Sequence, residues 1–204
     1  HLWIRRQRQM CIRDRCIVIP LNLLIFMDSN IKQPRLITFY AATGHLMMHM
    51  FAAFYFVIVL TIEKEWNISY DQLIRLWSLG ALLIGIGAIP FGWLSDKWSR
   101  SGTMTIMFIG MGLASILCGL STSVSFLFFS LSLLGLFCSI YHPVGIPWVI
   151  HAANKQGRAL GVNGIFGGVG IGSGAFVAGT LTELLNWQLA FILPGLISII
   201  IGFI

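Results

Sequence analysis

The apolar positions of this chain fall into long blocks, not into the short period of a half-wetted helix or strand. Six stretches are long and apolar enough to cross a bilayer as helices, which takes about 20 residues each. They are Leu36–Ile62, Asp71–Leu94, Gly102–Leu120, Val124–Ile150, Ala159–Thr182 and Trp187–Ile204. The gaps between them are short, so successive helices must run antiparallel. Glycine and proline inside the blocks do not argue against helix, since both are commoner in membrane helices than in soluble ones. Ser69-x-x-Gln72, at the head of the second block, reads as a capping box. The expected fold class is all-α, a polytopic membrane protein built as a bundle of six transmembrane helices. The sixth block runs to Ile204 with no tail, so the chain reads as cut there.

Composition agrees and removes several function classes. Of 204 residues 57% are hydrophobic and only 10% charged, whereas a soluble domain carries roughly a quarter charged residues to keep its surface wet. A soluble enzyme and a disordered chain are excluded on that ground. The net charge of +6 would suit nucleic acid, but the bases are too few and too scattered, so no nucleic-acid partner is expected. The partner expected is the lipid bilayer.

The bases instead mark orientation. Lys32, Arg35, Lys97, Arg100, Lys155 and Arg158 fall on one side of the predicted bundle, Lys64 and Arg75 on the other. The positive-inside rule then puts the N-terminus and the loops after spans two and four in the cytoplasm. A multi-pass protein of the inner (plasma) membrane is expected. Trp66, Trp77, Trp93, Trp98, Trp148 and Trp187 mostly fall near span ends, as an aromatic belt requires.

Residues 1–26 stand apart. They hold Arg5, Arg6, Arg8, Arg13, Arg15, Cys11 and Cys16, and Ile17–Phe26 is too short to span. The run from Arg8 to Arg15 resembles translated sequencing-adaptor DNA, and Met27 reads as the native start. The rival is a genuine basic segment on anionic lipid. Without this leader, which has five Arg and one Asp, the net charge falls from +6 to +2. Cys118 and Cys138, within spans, are expected to act as small hydrophobes.

No Asp, Glu, Lys or Arg lies in the middle of a span; the ionisable groups there are His45, His49 and His142. Such residues usually face a bundle interior and mark a pathway. At 1.5 Å per helical residue, His45 lies about 15 Å in from Arg35 and His142 about 13 Å in from His151, so both reach similar depth. His49 is one turn further on the face of His45. These three histidines and Tyr141 are the expected substrate or proton pathway. Histidine's pKa near 6.5 suits either task. Two histidines at i, i+4 could ligate a metal, but no carboxylate or thiol stands close in sequence, so neither a metal site nor a cofactor is assigned. Pro143 and Pro147 should distort span four. In span five, Gly164, Gly168 and Gly172 recur every four residues and are expected to form a close-packing helix face.

The loop after span two is the most specific signal. Gly92-Trp93-Leu94-Ser95-Asp96-Lys97-Trp98-Ser99-Arg100 has the spacing G-x-L-x-D-K-x-x-R, in which Asp96 is placed to accept from free N–H groups near a helix start. It resembles the loop signature of the major facilitator superfamily of secondary transporters, G-x-L-x-D-R-x-G-R, with Lys97 and Ser99 as departures. Gly157-Arg158-Ala159-Leu160-Gly161 and Trp187-Gln188-Leu189-Ala190-Phe191 resemble that family's openings of spans five and six. The resemblance implies that 27–204 is the N-terminal six-helix half of a twelve-helix transporter, with the C-terminal half as missing partner. It implies a gating role for Gly92, Asp96, Lys97 and Arg100, and a small-molecule substrate moved by alternating access with a proton gradient as the driver. Two departures bear on mechanism. The family's frequent Arg in span four is replaced by Phe128-Phe129-Ser130-Leu131-Ser132-Leu133, and span five lacks the central Pro of the antiporter signature. Gly44-His45-x-x-x-His49 with Tyr141-His142-Pro143 is similar to a subgroup like the fosmidomycin-resistance exporters. The alternatives from other classes are a bis-histidine haem protein and a membrane-embedded metalloenzyme.

Overall fold

The computed structural model describes residues 34–204; the expectations for residues 1–26, the start at Met27 and Lys32 lie outside them. Among the described residues there are nine helices and no strand. Span one is α1 (Pro34–Trp66). Span two is broken into α2 (Tyr70–Ile74), α3 (Trp77–Ile86) and α4 (Ala88–Lys97). Span three is α5 (Arg100–Gly119), and span four is broken into α6 (Val124–Cys138) and α7 (Tyr141–Ala152). Span five is α8 (Gln156–Leu184) and span six α9 (Trp187–Gly202). Five of the six spans have membrane length. The 16 residues of α9 cover only about 24 Å at 1.5 Å per residue.

Helix ends follow local chemistry. Ser99, Ser123 and Asn186 cap α5, α6 and α9 with side-chain oxygens that accept from Gly102, Phe126 and Leu189 N–H. The cap on α5 therefore comes from Ser99, not from Asp96. The expected box at Ser69 is not made either: its side chain makes no cap bond, and its carbonyl accepts from Gln72 and Leu73 N–H. The Tyr70 N–H donates instead to Glu63 Oε1 at 2.9 Å. Asn67 closes α1 at a φ of 53°, the left-handed geometry that asparagine tolerates better than most residues. Span four breaks where Pro143 dictates. A proline ring clashes with the carbonyl four residues back, here Ser139, and the helix is interrupted at Ser139–Ile140.

In lipid there is little hydrophobic drive between helices, so small residues and interhelical hydrogen bonds hold a bundle together. Spans one and five form the closest pair, spans three and six the next. A Cβ on Gly170 would strike the Leu46 backbone, one on Gly174 the Ala53 side chain, and one on Gly167 the His45 ring. Gly112 meets the backbone of Gly195, and Gly135 that of Gly80. Ser115 Oγ donates to the Phe191 carbonyl and Ser198 Oγ to that of Phe108, both at 2.7 Å, stitching span three to span six. Tyr55 OH donates to the Leu73 carbonyl at 2.6 Å and ties span one to span two.

This corrects the expected packing face of span five. The close approach uses Gly167, Gly170 and Gly174; Gly164, Gly168 and Gly172 have nothing within 4 Å where a Cβ would stand. One set is spaced four and four and the other three and four, both spacings that keep residues on one helix face, so periodicity alone could not tell which set faces span one. The aromatic belt is also incomplete. Trp187 is buried and its indole N–H donates to Glu65 Oε2 at 2.7 Å, beside Trp66; Trp77 is buried as well. Cys118 and Cys138 are free and fully buried. Only 22% of the most apolar stretch is buried in spans two and five, against 67% in span three, so those two carry most of the uncovered apolar surface.

Replacing Gly170 by Ala should destabilise the bundle by about 1–3 kcal/mol through overpacking. Gly179→Ala should stabilise it by up to about 1 kcal/mol through helix propensity, because the nearest atom to its Cβ is an ordinary 3.6 Å away. Opposite shifts in the apparent melting temperature in detergent check the pair.

Candidate functional site

The three intramembrane histidines meet. Ring centroids lie 4.9 Å apart for His45 and His49, 5.5 Å for His45 and His142, and 5.6 Å for His49 and His142. α1 presents His45 and His49 one turn apart, and α7 presents His142 in its first turn after the break. Tyr141, also in that turn, stacks on His45 with centroids 4.5 Å apart. The cluster grades outward: Tyr141 is fully buried, His45 is 9% exposed, His49 is half-buried and His142 is exposed. The helical break thus delivers Tyr141 inward and His142 outward within one dipeptide.

One residue missed by the sequence reading organises the site. Asn163 of α8 is buried. Its side-chain Oδ1 accepts the Tyr141 hydroxyl at 2.6 Å, and its backbone carbonyl lies 2.8 Å from His45 Nδ1. A carbonyl only accepts, so Nδ1 carries the proton, and in the neutral ring Nε2 is left with its lone pair. Gly167, one turn along α8, leaves room for the His45 ring. The signal was present: Asn163 is an amide inside an apolar, glycine-rich span, where a polar group costs several kcal/mol unless partnered.

A cleft of about 640 Å³ opens between spans one and five at the end carrying Arg35, Lys155 and Arg158. Its lining reaches Ala42 and Phe166, which are within one helical turn of His45 and next to Gly167. The loop after span two lies elsewhere. Asp96 and Lys97 are exposed, and Asp96 pairs with Arg100 across 3.9 Å. Gly92 lets span two approach Pro143, so the loop motif touches span four near the site without joining it. Gly164, Gly168 and Gly172 take no part in the histidine cluster.

Known proteins match this chain. A family model described as Major Facilitator Superfamily matches residues 41–204. The riboflavin transporter RibZ of Clostridioides difficile (strain 630) is 29% identical over 70% of this chain and 32% of its own length. The puromycin resistance protein pur8 of Streptomyces alboniger is 29% identical over 56% and 24%. The niacin transporter NiaP of Acinetobacter baylyi (strain ATCC 33305 / BD413 / ADP1) is 24% identical over 70% and 33%. The chain therefore spans a third or less of each of these relatives.

Tyr141→Phe and Asn163→Leu should each cost about 1–3 kcal/mol, because each leaves the other's buried polar group without its partner. Both are read as falls in apparent melting temperature.

Proposed function

The chain belongs to the major facilitator superfamily, and on that premise we propose that residues 27–204 form the N-terminal six-helix half of an alternating-access secondary transporter for a small organic solute. The observation that carries the reading is the meeting of His45, His49, His142 and Tyr141 at depth in the bundle, within a helical turn of a cleft that opens at one end. Family membership favours transport over the haem and metalloenzyme alternatives. Relatives bearing the names of riboflavin and niacin transporters support a small organic solute.

In this reading the cleft is the cytoplasmic vestibule. Its mouth carries Arg35, Lys155 and Arg158, three of the bases that the positive-inside rule assigns to the cytoplasm, and the protein sits in the inner membrane. The histidines bind solute or carry the coupling proton. Asp96, Lys97 and Arg100 form a gating loop: the Asp96–Arg100 pair, 3.9 Å long with its aspartate exposed, stabilises by little and is therefore cheap to break and remake. The outward face of Gly164, Gly168 and Gly172 is left free to meet the other half of the transporter.

The full-length protein in vesicles should move labelled riboflavin or nicotinate faster with an imposed pH gradient than without one. His45→Ala and His142→Ala should each lower the rate at least about tenfold, the scale of 1.4 kcal/mol; wild-type rates in both variants would remove the site assignment. For orientation, a cysteine at Asn154 should react with an impermeant thiol reagent only from the cytoplasmic side, and one at Thr122 only from the opposite side.

A further inference from the structure

We propose that His45, His49 and His142 form a binding site for a divalent transition metal ion of the zinc and cobalt class. One ring nitrogen from each residue lies within 4.8 Å of those of the other two. Imidazole suits zinc, copper, nickel and cobalt, and three histidines with one open position make a familiar zinc ligand set. Metal–nitrogen bonds of about 2.0–2.1 Å require the nitrogens to stand roughly 3.3 Å apart, so the cluster closes by up to about 1.5 Å when it takes the ion.

The hydrogen bonding fits that demand. His45 is the fixed member: its Nδ1–H donates to the Asn163 carbonyl at 2.8 Å, and its ring lies against Tyr141. A ligating histidine typically donates its other ring N–H to a carbonyl or carboxylate in this way, which sets the tautomer and turns a lone pair toward the metal. Among the described residues His49 and His142 make no side-chain hydrogen bond, and both are more exposed than His45, so their rings are free to swing onto the ion. The second layer is complete as well. Tyr141 OH holds the Asn163 side chain at 2.6 Å, and Gly167 gives the His45 ring its place.

Charge then says what the ion does. Three neutral imidazoles leave its full double charge uncompensated, and no carboxylate lies in the middle of a span. The open coordination positions therefore favour water or an oxyanion, and the cleft mouth, with Arg35, Lys155 and Arg158 and no acidic side chain in its lining, attracts anions. The ion is accordingly an anchor for an oxygen-bearing anionic solute. This assignment rests on the reading of the cluster as the transporter's solute site.

The test uses the full-length, tag-free transporter in detergent, titrated with Co²⁺ and followed by visible absorption. One equivalent should bind with the intense spectrum of a four- or five-coordinate site and be displaced by Zn²⁺. His45→Gln, His49→Gln and His142→Gln should each weaken binding more than about tenfold while remaining monodisperse. Tyr141→Phe should weaken it less. No Co²⁺ binding by the wild type, or equal binding by the variant carrying all three substitutions, overturns the proposal. A separate measurement isolates the cavity reading: a cysteine at His142, in a cysteine-free background, should react with an impermeant thiol reagent. Labelling without Co²⁺ binding leaves the cavity and removes the metal; failure to label removes the cavity.

Discussion

A polar side chain within a bilayer has no water to fall back on, and the geometry of this protein follows from how few such groups it carries and how each is partnered. Asn163 is the centre of that arrangement. Its side chain takes the Tyr141 hydroxyl and its carbonyl takes the His45 ring, so one residue of span five ties down spans one and four. Neither partner could be released singly without stranding a buried group, a cost of about 1–3 kcal/mol. The same tie fixes the tautomer of His45 and its stacking on Tyr141, and with them the position of the histidine cluster.

Glycine does the complementary work. Gly167 and Gly170 let span five approach span one closely enough for the Asn163 carbonyl to reach His45. A methyl group at Gly167 would occupy the space of that imidazole. Close packing and polar pairing are one feature seen from two sides: without the small residues the bond could not form, and without the bond little besides dispersion would hold the helices together.

How far the sequence could be read depended on the kind of signal. The six spans were legible because bilayer thickness sets a length and lipid sets a composition, and neither needs a partner to be known. The similar depth of His45 and His142 was legible from their distances to the span ends; their meeting depends on span four packing against span one. What failed was the question of which neighbour. Gly164-x-x-x-Gly168-x-x-x-Gly172 and the set of Gly167, Gly170 and Gly174 both suit close approach, and only the facing helix separates them. Asn163 escaped notice because amides are unremarkable in water; in lipid its presence alone was informative. Ser69 failed because Glu63 reaches the start of α2; Trp187 stands at a span end, but Glu65 gives its indole a partner inside the bundle.

The break in span four divides that span between two sets of neighbours. α6 packs chiefly on α3 and α5, where Gly80 and Gly135 touch, while α7 packs chiefly on α1. The two halves of one span therefore answer to different neighbours. They meet at Ser139–Ile140, where Pro143 has removed the helical bond that would stiffen the joint. Tyr141 and His142 are the first two residues beyond it. A tilt of one group of helices against the other would bend the span at that joint, and Tyr141 and His142, lying on the side that packs with α1, would travel with His45 and Asn163. The break therefore leaves the histidine cluster within one packed group of helices, while α6 answers to α3 and α5.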